Sequence, residues 1–396
     1  MNEGNEGNED NERVRIISFI FFIPFISFIS FIPFIPFISF IFLHFFRRAI
    51  IFLFSRLLGM KKVFFIFILG LICGNLHAQF DTQISNHWAA PGYFNPAYAG
   101  ESGNLEATLL SRIQWLGIEG APRSTVISAE MPFEFMGRVH GVGASMYNDR
   151  FGLFSSSVIS AQYAWKKKLF KGDFSLGIQL GYIDQSFDGS KIEIPETEAH
   201  DRTDEALPTS EVTGTAVDGS IGLYYSRNKW YAGLSATHLF STKLELGESY
   251  LMEVPRSYYF TAGYNIQLNN PLIELRPSIL VKTMEMSSLY LSPDSLTEVI
   301  EEDMLKAMLR NTQIDVTLRM FYNKKFMGGL SWRKGDAIVL SLGAKFKMLE
   351  IGYAYDFPIS KILKQSTGSH ELYAKYIVDL NLNKKKKNKY KSIRIL

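Results

Sequence analysis

The chain has 396 residues with 42 basic and 39 acidic side chains, a formal net charge of +3. The first 78 residues hold 7 of the basic groups, 5 of the acidic ones and 17 of the 32 phenylalanines, which leaves 35 basic against 34 acidic. So even a balance offers none of the concentrated basic surface that nucleic acid requires, and the single cysteine, Cys73, excludes a disulfide framework and a cysteine-ligated metal.

Residues 2–13 repeat as Asn-Glu-x, and residues 18–41 repeat a Phe-Ile unit with period three. That period matches neither helix nor strand burial, and Pro24, Pro33 and Pro36 interrupt any helix. By length alone, Val14 to Phe46 is a transmembrane candidate. The next methionine begins a different pattern. Met60-Lys61-Lys62 supplies a short positive region, Val63 to Cys73 an apolar one, and Leu76-His77-Ala78 a small residue before a cleavage point at Gln79. A signal peptide stands at the start of its protein, so translation is expected to begin at Met60, with residues 1–59 a low-complexity extension from a mis-called start. The alternative is a low-complexity membrane anchor. A lipoprotein signal is disfavoured because Ile72 stands where Gly, Ala or Ser is needed before Cys73.

Beyond Gln79 the dominant pattern has period two. From Phe174 the residues Phe174, Leu176, Ile178, Leu180 and Tyr182 share one parity, and Ser175, Gly177, Gln179 and Gly181 the other. Such a strand has one apolar face and one small, polar face. Fourteen strands are predicted, at 105–115, 123–131, 139–148, 153–167, 172–186, 213–226, 229–240, 256–268, 272–286, 312–322, 325–333, 337–347, 349–357 and 369–379. A β-sandwich or a propeller would use similar strands. The connections separate these possibilities: 187–212, 241–255, 287–311 and 358–368 are long and odd-numbered, whereas Arg227-Asn228, Asn269-Asn270-Pro271, Asn323-Lys324 and Met348 mark tight even-numbered turns. Only the odd connections at 149–152 and 334–336 are short. Long exterior loops alternating with short periplasmic turns are the signature of an outer-membrane barrel. The expected fold is therefore all-β: a transmembrane antiparallel barrel of about fourteen strands with one short helix in an exterior loop.

Aromatic residues near the segment ends (Trp115, Tyr147, Trp165, Trp230, Tyr258, Tyr259, Tyr322, Trp332, Tyr353, Tyr355 and Tyr376) fit girdles at the two membrane interfaces. Glycines recur on the small parity, where they relieve crowding in a curved sheet. The helical candidate is 293–310, capped by Ser292, with Pro293 and Asp294 in its first turn and Leu296, Ile300, Met304 and Met308 on one stripe. It reads as a cap over the barrel mouth or as a docking helix. The tail Lys384-Lys385-Lys386-Lys387-Asn388-Lys389 is a solvated end or a contact for anionic headgroups or an acidic partner. The divisions are thus an extension at 1–59, a signal peptide at 60–78, a periplasmic N-terminal segment at 79–104, the barrel at 105–380 and a basic tail at 381–396.

Catalytic chemistry has no support in the residues. His87, His140, His200, His238 and His370 are scattered, without H-E-x-x-H or any ligand spacing. The acidic run from His200 to Glu205 reads as a solvated loop. His370-Glu371 reads as a turn and lumen-facing pair. No serine lies in G-x-S-x-G, and Gly141-Val142-Gly143 lacks phosphate-loop spacing. No catalytic residue, cofactor or metal is expected.

Three blocks carry a family likeness. They are Asn95-Pro96-Ala97-Tyr98-Ala99-Gly100, then Gln114-Trp115-Leu116-Gly117-Ile118-Glu119-Gly120-Ala121-Pro122, then Gly368-Ser369-His370-Glu371. Asn148-Asp149-Arg150-Phe151-Gly152 and Gly352-Tyr353-Ala354-Tyr355-Asp356 accompany them. In this order they resemble the PorP/SprF family of type IX secretion outer-membrane proteins, from about Gln79 to Leu380. The resemblance implies a non-enzymatic barrel in the bacterial outer membrane, reached by Sec-dependent export with cleavage near Ala78. It also implies export or surface attachment of secreted and gliding proteins, with other type IX secretion proteins of periplasm and outer membrane, and secreted cargo or adhesin, as partners. Read as residues, the blocks are turn formers. Asn95, Pro96, Ala97, Tyr98 and Gly100 precede the first strand and either plug the barrel or meet a partner. Gln114, Trp115, Gly120 and Pro122 lie at the first exterior connection, while Gly368, Ser369, His370 and Glu371 open the last strand. The rival functions are a diffusion channel or hydrophobic-compound transporter, and an outer-membrane lipid-modifying enzyme, for which no polar triad is found.

Overall fold

A computed structural model describes residues 82–192, 208, 210–246, 250–285 and 311–380. The signal segment, the acidic run at 200–205, the helical candidate at 293–310 and the basic tail lie outside the described residues.

Fourteen antiparallel strands close into one barrel. In chain order they are β1 (Asn104–Ile113), β2 (Arg123–Phe135), β3 (Arg138–Phe151), β4 (Phe154–Leu169), β5 (Gly172–Asp188), β6 (Glu211–Arg227) and β7 (Trp230–Thr237). After a two-stranded hairpin, β8 (Lys243–Leu246) and β9 (Tyr250–Glu253), come β10 (Ser257–Tyr264) with β11 (Ile266–Gln267). The wall is completed by β12 (Ile273–Met284), β13 (Gln313–Tyr322), β14 (Phe326–Arg333), β15 (Ala337–Phe346), β16 (Leu349–Pro358) and β17 (Ser369–Asp379). β10 and β11 are one barrel strand: Gly263 opposite Ser278 and Ile266 opposite Leu275 keep a single register against β12. Two pairings complete the ring, β1 with β17 from Asn104–Asp379 to Ile113–His370, and β7 with β10 across the hairpin from Thr237–Ser257 to Trp230–Tyr264. Closure gives every barrel strand a neighbour on both sides, the condition for spanning hydrocarbon with strands, although residues 211–220 of β6 lie beyond its pairing with β7.

The period-two pattern explains which face meets lipid. Along β1, Glu106, Thr108, Leu110 and Arg112 are buried, and Ala107, Leu109, Ser111 and Ile113 are exposed. Along β5, Leu180 is 64% exposed and Ser175 not at all. Exposed apolar side chains therefore form an outer belt, and the small or polar parity points inward. The wall is uneven, with β5 and β6 each 17 residues long and β7 only 8. On the inside of the tall side the β8–β9 hairpin rests against β6, its Leu244 and Leu246 both buried. The sequence reading has only a long loop there.

Two aromatics expected in the membrane girdles face inward instead. Tyr259 is buried, and Tyr147 packs against the same internal cluster of Ile84, Phe94, Leu110, Val126 and Leu280. The lumen is thus not lined by polar and small groups alone. Its apolar patches exist because something apolar fills the barrel.

The even-numbered turns are tight. The pair Phe170-Lys171 joins β4 to β5 with φ of 48° and 65°, the left-handed geometry that two-residue hairpins require and that Asn-Gly satisfies at least cost. Lys171 makes that turn at a steric cost of about 1–2 kcal/mol. Lys171→Gly is therefore expected to stabilise the barrel by up to ~1 kcal/mol, read as a higher urea midpoint with an unchanged slope.

Candidate functional site: the plugged lumen

A closed barrel of eight strands is filled by its own side chains, and one of sixteen is an aqueous pore. Fourteen strands leave a space that must be either a channel or occupied. Here residues 82–103 occupy it, entering at the end that carries the odd-numbered connections and leaving at the even-turn end, where the chain turns into β1. Irregular backbone at membrane depth is tolerated only where protein satisfies its polar groups, and wall side chains bond the plug backbone at Ser85, Asn86, Ala89, Gly92 and Phe94.

At the odd-connection end sits a buried charge cluster. Arg112 places Nη2 2.7 Å from Asp356 Oδ2 and Nη1 3.3 Å from Glu371 Oε2. Arg333 reaches the same Asp356 oxygen at 2.9 Å, Asp315 Oδ2 at 3.1 Å and Asp336 at 3.3 Å. Ser85 of the plug inserts its hydroxyl among them. It accepts from Arg112 Nη1 at 2.8 Å and Arg333 Nη2 at 3.1 Å, and donates to Asp356 Oδ1 at 2.7 Å. All the bonding capacity of a hydroxyl is used. Glu371 accepts from the backbone N–H of Ser85 at 2.8 Å, and from the backbone N–H and side-chain amide of Asn86 at 2.6 and 2.8 Å. Beside it Gln83 exchanges side-chain amide hydrogen bonds with Gln313 and accepts from Lys282 Nζ at 2.6 Å. Charged groups from β1, β12, β14, β16 and β17 thus bond three plug residues, while Asp315 of β13 holds Arg333 in place.

Lower in the barrel, wall side chains serve plug carbonyls. Thr108 donates to Ala89 O, Gln162 to Gly92 O at 2.9 Å and Ser235 to Phe94 O at 2.6 Å. A helical turn at Pro91–Phe94 and a 3-10 turn at Pro96–Tyr98 follow one another. Asn95 caps the second by accepting from Ala97 N at 2.9 Å, and it donates to Leu223 O and Leu234 O on β6 and β7. At the even-turn end Glu101 pairs with Lys166 at 2.7 Å and accepts from Ser226 at 2.5 Å.

The sequence-predicted residues divide in two. Asn95, Pro96 and Ala97 are buried within the lumen, Tyr98 packs edge-on to Tyr224, and Gly100 takes a φ of +65° against the Met131 backbone. This block is the middle and base of the plug, buried except for the half-buried Tyr98. The other two blocks meet each other across the β1–β17 seam. Trp115 N donates to Ser369 Oγ at 3.1 Å, Leu116 N donates to Gly368 O at 2.7 Å, and Thr367 N returns to Leu116 O at 3.0 Å. Gln114 N bonds Pro122 O, and Gly152 N bonds Gly120 O, which ties the first connection down. The expected lumen-facing His370-Glu371 pair is corrected: neighbours on a strand point to opposite faces. Glu371 alone is inward, while His370 sits outside against Tyr353 and Tyr355, its Nδ1 2.6 Å from the Tyr353 hydroxyl.

Sequence reasoning did not single out Arg333, Asp315, Ser85 and Asn86. A signal existed for the first two, because both fall on the inward parity of otherwise apolar membrane strands. Asn95→Ala removes a cap and two hydrogen bonds from the plug to the wall, so it is expected to cost about 1–3 kcal/mol. Protease cleavage within residues 82–103 should become faster in the variant.

Among the described residues, no group of three His, Asp or Glu is placed to hold a metal ion. No curated protein matches the sequence. Solved structures of similar shape include the CymD monoaromatic hydrocarbon channel, at 12% identity and TM-score 0.40, covering 76% of this chain and 94% of that one. Another is BamA from Haemophilus ducreyi lacking POTRA domains 1-3, at 9% identity and TM-score 0.37, covering 69% and 70%. A third, Omp33 of Acinetobacter baumannii, has 6% identity and TM-score 0.36, covering 69% and 97%. Residues 76–376 match the type IX secretion system membrane protein PorP/SprF. The chain belongs to that family and is an outer-membrane β-barrel component of type IX secretion.

Proposed function

We propose that this barrel serves type IX secretion without catalysis and without conducting solutes, by holding other proteins at its two mouths. The observation that carries the reading is the filled lumen: Ser85 and Asn86 are clamped at one end, Glu101 at the other, and Asn95 between them. A diffusion channel or a hydrophobic-compound transporter needs the space the plug takes.

On this reading the chain is exported through the signal at 60–78 and the odd-numbered connections face the exterior. The joined blocks at the β1–β17 seam then form the outer contact surface, where Leu116 is exposed and Glu119 stands free beside it. The even-turn end faces the periplasmic machinery. Export or surface attachment of particular secreted or gliding proteins is the task.

The test is co-purification of the tagged barrel from cross-linked membranes, with mass spectrometry of bound proteins, beside a surface proteome of the deletion strain. Recovery of type IX secretion components, together with loss of a defined set of surface proteins on deletion, is the expected result. Recovery of none, with an unchanged surface proteome, would overturn the reading.

A further inference from the structure

The even-turn end of the barrel holds a cavity of about 310 Å³ between plug and wall. Its lining includes His87, Trp88, Tyr231, Arg276 and Arg319. Register places Arg276 of β12 directly opposite Arg319 of β13, and like charges facing each other across a strand pair repel. Arg276 has a carboxylate, Glu274, at 2.9 Å. Arg319 differs from Arg112 and Arg333, which each reach two or more carboxylates. It is 7% exposed, makes no ion pair among the described residues, and its Nε has no hydrogen-bond partner.

What Arg319 has instead is aromatic surface. Its guanidinium carbon lies 4.5 Å from the Trp88 ring centre and 5.8 Å from that of Phe321, and Arg276 lies 4.2 Å over the same Phe321 ring. Stacking of this kind orients a guanidinium and leaves its N–H edge free. A buried charge without a counter-ion is costly. His87, 6% exposed, adds two ring nitrogens that are both without partners. The one acidic group of the plug in the lining, Glu101, is already committed to Lys166 and Ser226. An excess of fixed positive charge, unsatisfied donors and flat aromatic walls meet in one cavity that opens between the β6–β7 turn and the plug.

We propose that this cavity is a binding site for an oxyanion, a carboxylate or a phosphate, carried on a ring or short aliphatic body. Arg319 and Arg276 hold the oxyanion, and Trp88 and Tyr231 pack on the body. The site is independent of the secretion role.

The test is calorimetric titration of the purified barrel in detergent with phenyl phosphate, with benzoate, and with neutral benzamide, beside Arg319→Gln. Heat-modifiable gel migration confirms that the variant is folded, and Arg276→Gln replaces it if Arg319→Gln does not fold. Saturable binding of either anion, weakened about tenfold or more by the substitution, with no binding of benzamide, supports the site. Phenyl phosphate alone would mark the ligand group as a phosphate, and benzoate alone as a carboxylate. Absence of binding by both anions, equal binding of benzamide, or an affinity unchanged by the substitution would overturn it.

Discussion

Arg112→Ala is expected to cost about 3–5 kcal/mol of stability, the range for breaking a buried ion pair by removing one partner. Arg112 is 1% exposed and joins β1 to Asp356 on β16, to Glu371 on β17 and to Ser85 of the plug. Its loss leaves Asp356 with Arg333 and the Ser85 hydroxyl, and leaves Glu371 with only the plug's N–H donors. Urea unfolding in lipid or detergent, followed by tryptophan fluorescence, gives the number. A cost near zero would mean that the cluster does not hold the seam. Arg112→Lys keeps the charge and loses the fork, so it should fall between the two, since one ammonium cannot serve two carboxylates and a hydroxyl in that geometry.

Gly177→Val is expected to expel the plug without opening the barrel wall. A Cβ at Gly177 would lie 2.1 Å from Ala97 N and 2.4 Å from Ala97 Cα. These are backbone atoms of a turn held by Asn95, so no side-chain rotation relieves the clash. Gly141 is equivalent on β3, where a Cβ would lie 1.8 Å from Ala99 O. Valine suits a strand, and the ladder from β4 through β5 to β6 stays intact. The expected signature is rapid proteolysis within residues 82–103 and a folded, heat-modifiable barrel.

These glycines show where sequence reading stopped short. Their recurrence on the small parity is visible in the sequence, and the crowding of a curved sheet is one reason for it. The structure gives a second reason at Gly141 and Gly177, the close approach of another backbone. Nothing local to β3 or β5 encodes that, because the approaching segment lies 42 to 80 residues earlier in the chain. The strands themselves were legible. A period of two is a local property, and long odd connections against tight even turns fixed both count and closure. The β8–β9 hairpin escaped notice because four-residue strands such as Lys243–Leu246 are too short to stand out from a loop.

The plug was half legible. Asn95-Pro96 announced turns before the first strand, and the family blocks set them in order. That the first block is buried while the second and third clasp each other depends on pairing Ile113 with His370, a contact between opposite ends of the barrel sequence. Arg112, Asp315, Arg333 and Asp356 could have been noted as charges on the inward parity of membrane strands, which are expensive unless paired or functional. Ser85, which bonds Arg112, Arg333 and Asp356, carries no such mark.

The plugged lumen is tested most directly by single-channel recording of the purified mature barrel in planar bilayers, wild type beside Gly177→Val. The wild type is expected to remain closed, and the variant to show stepwise conductance. Large, steady conductance from the wild type would contradict a filled barrel and return the chain to the channel reading.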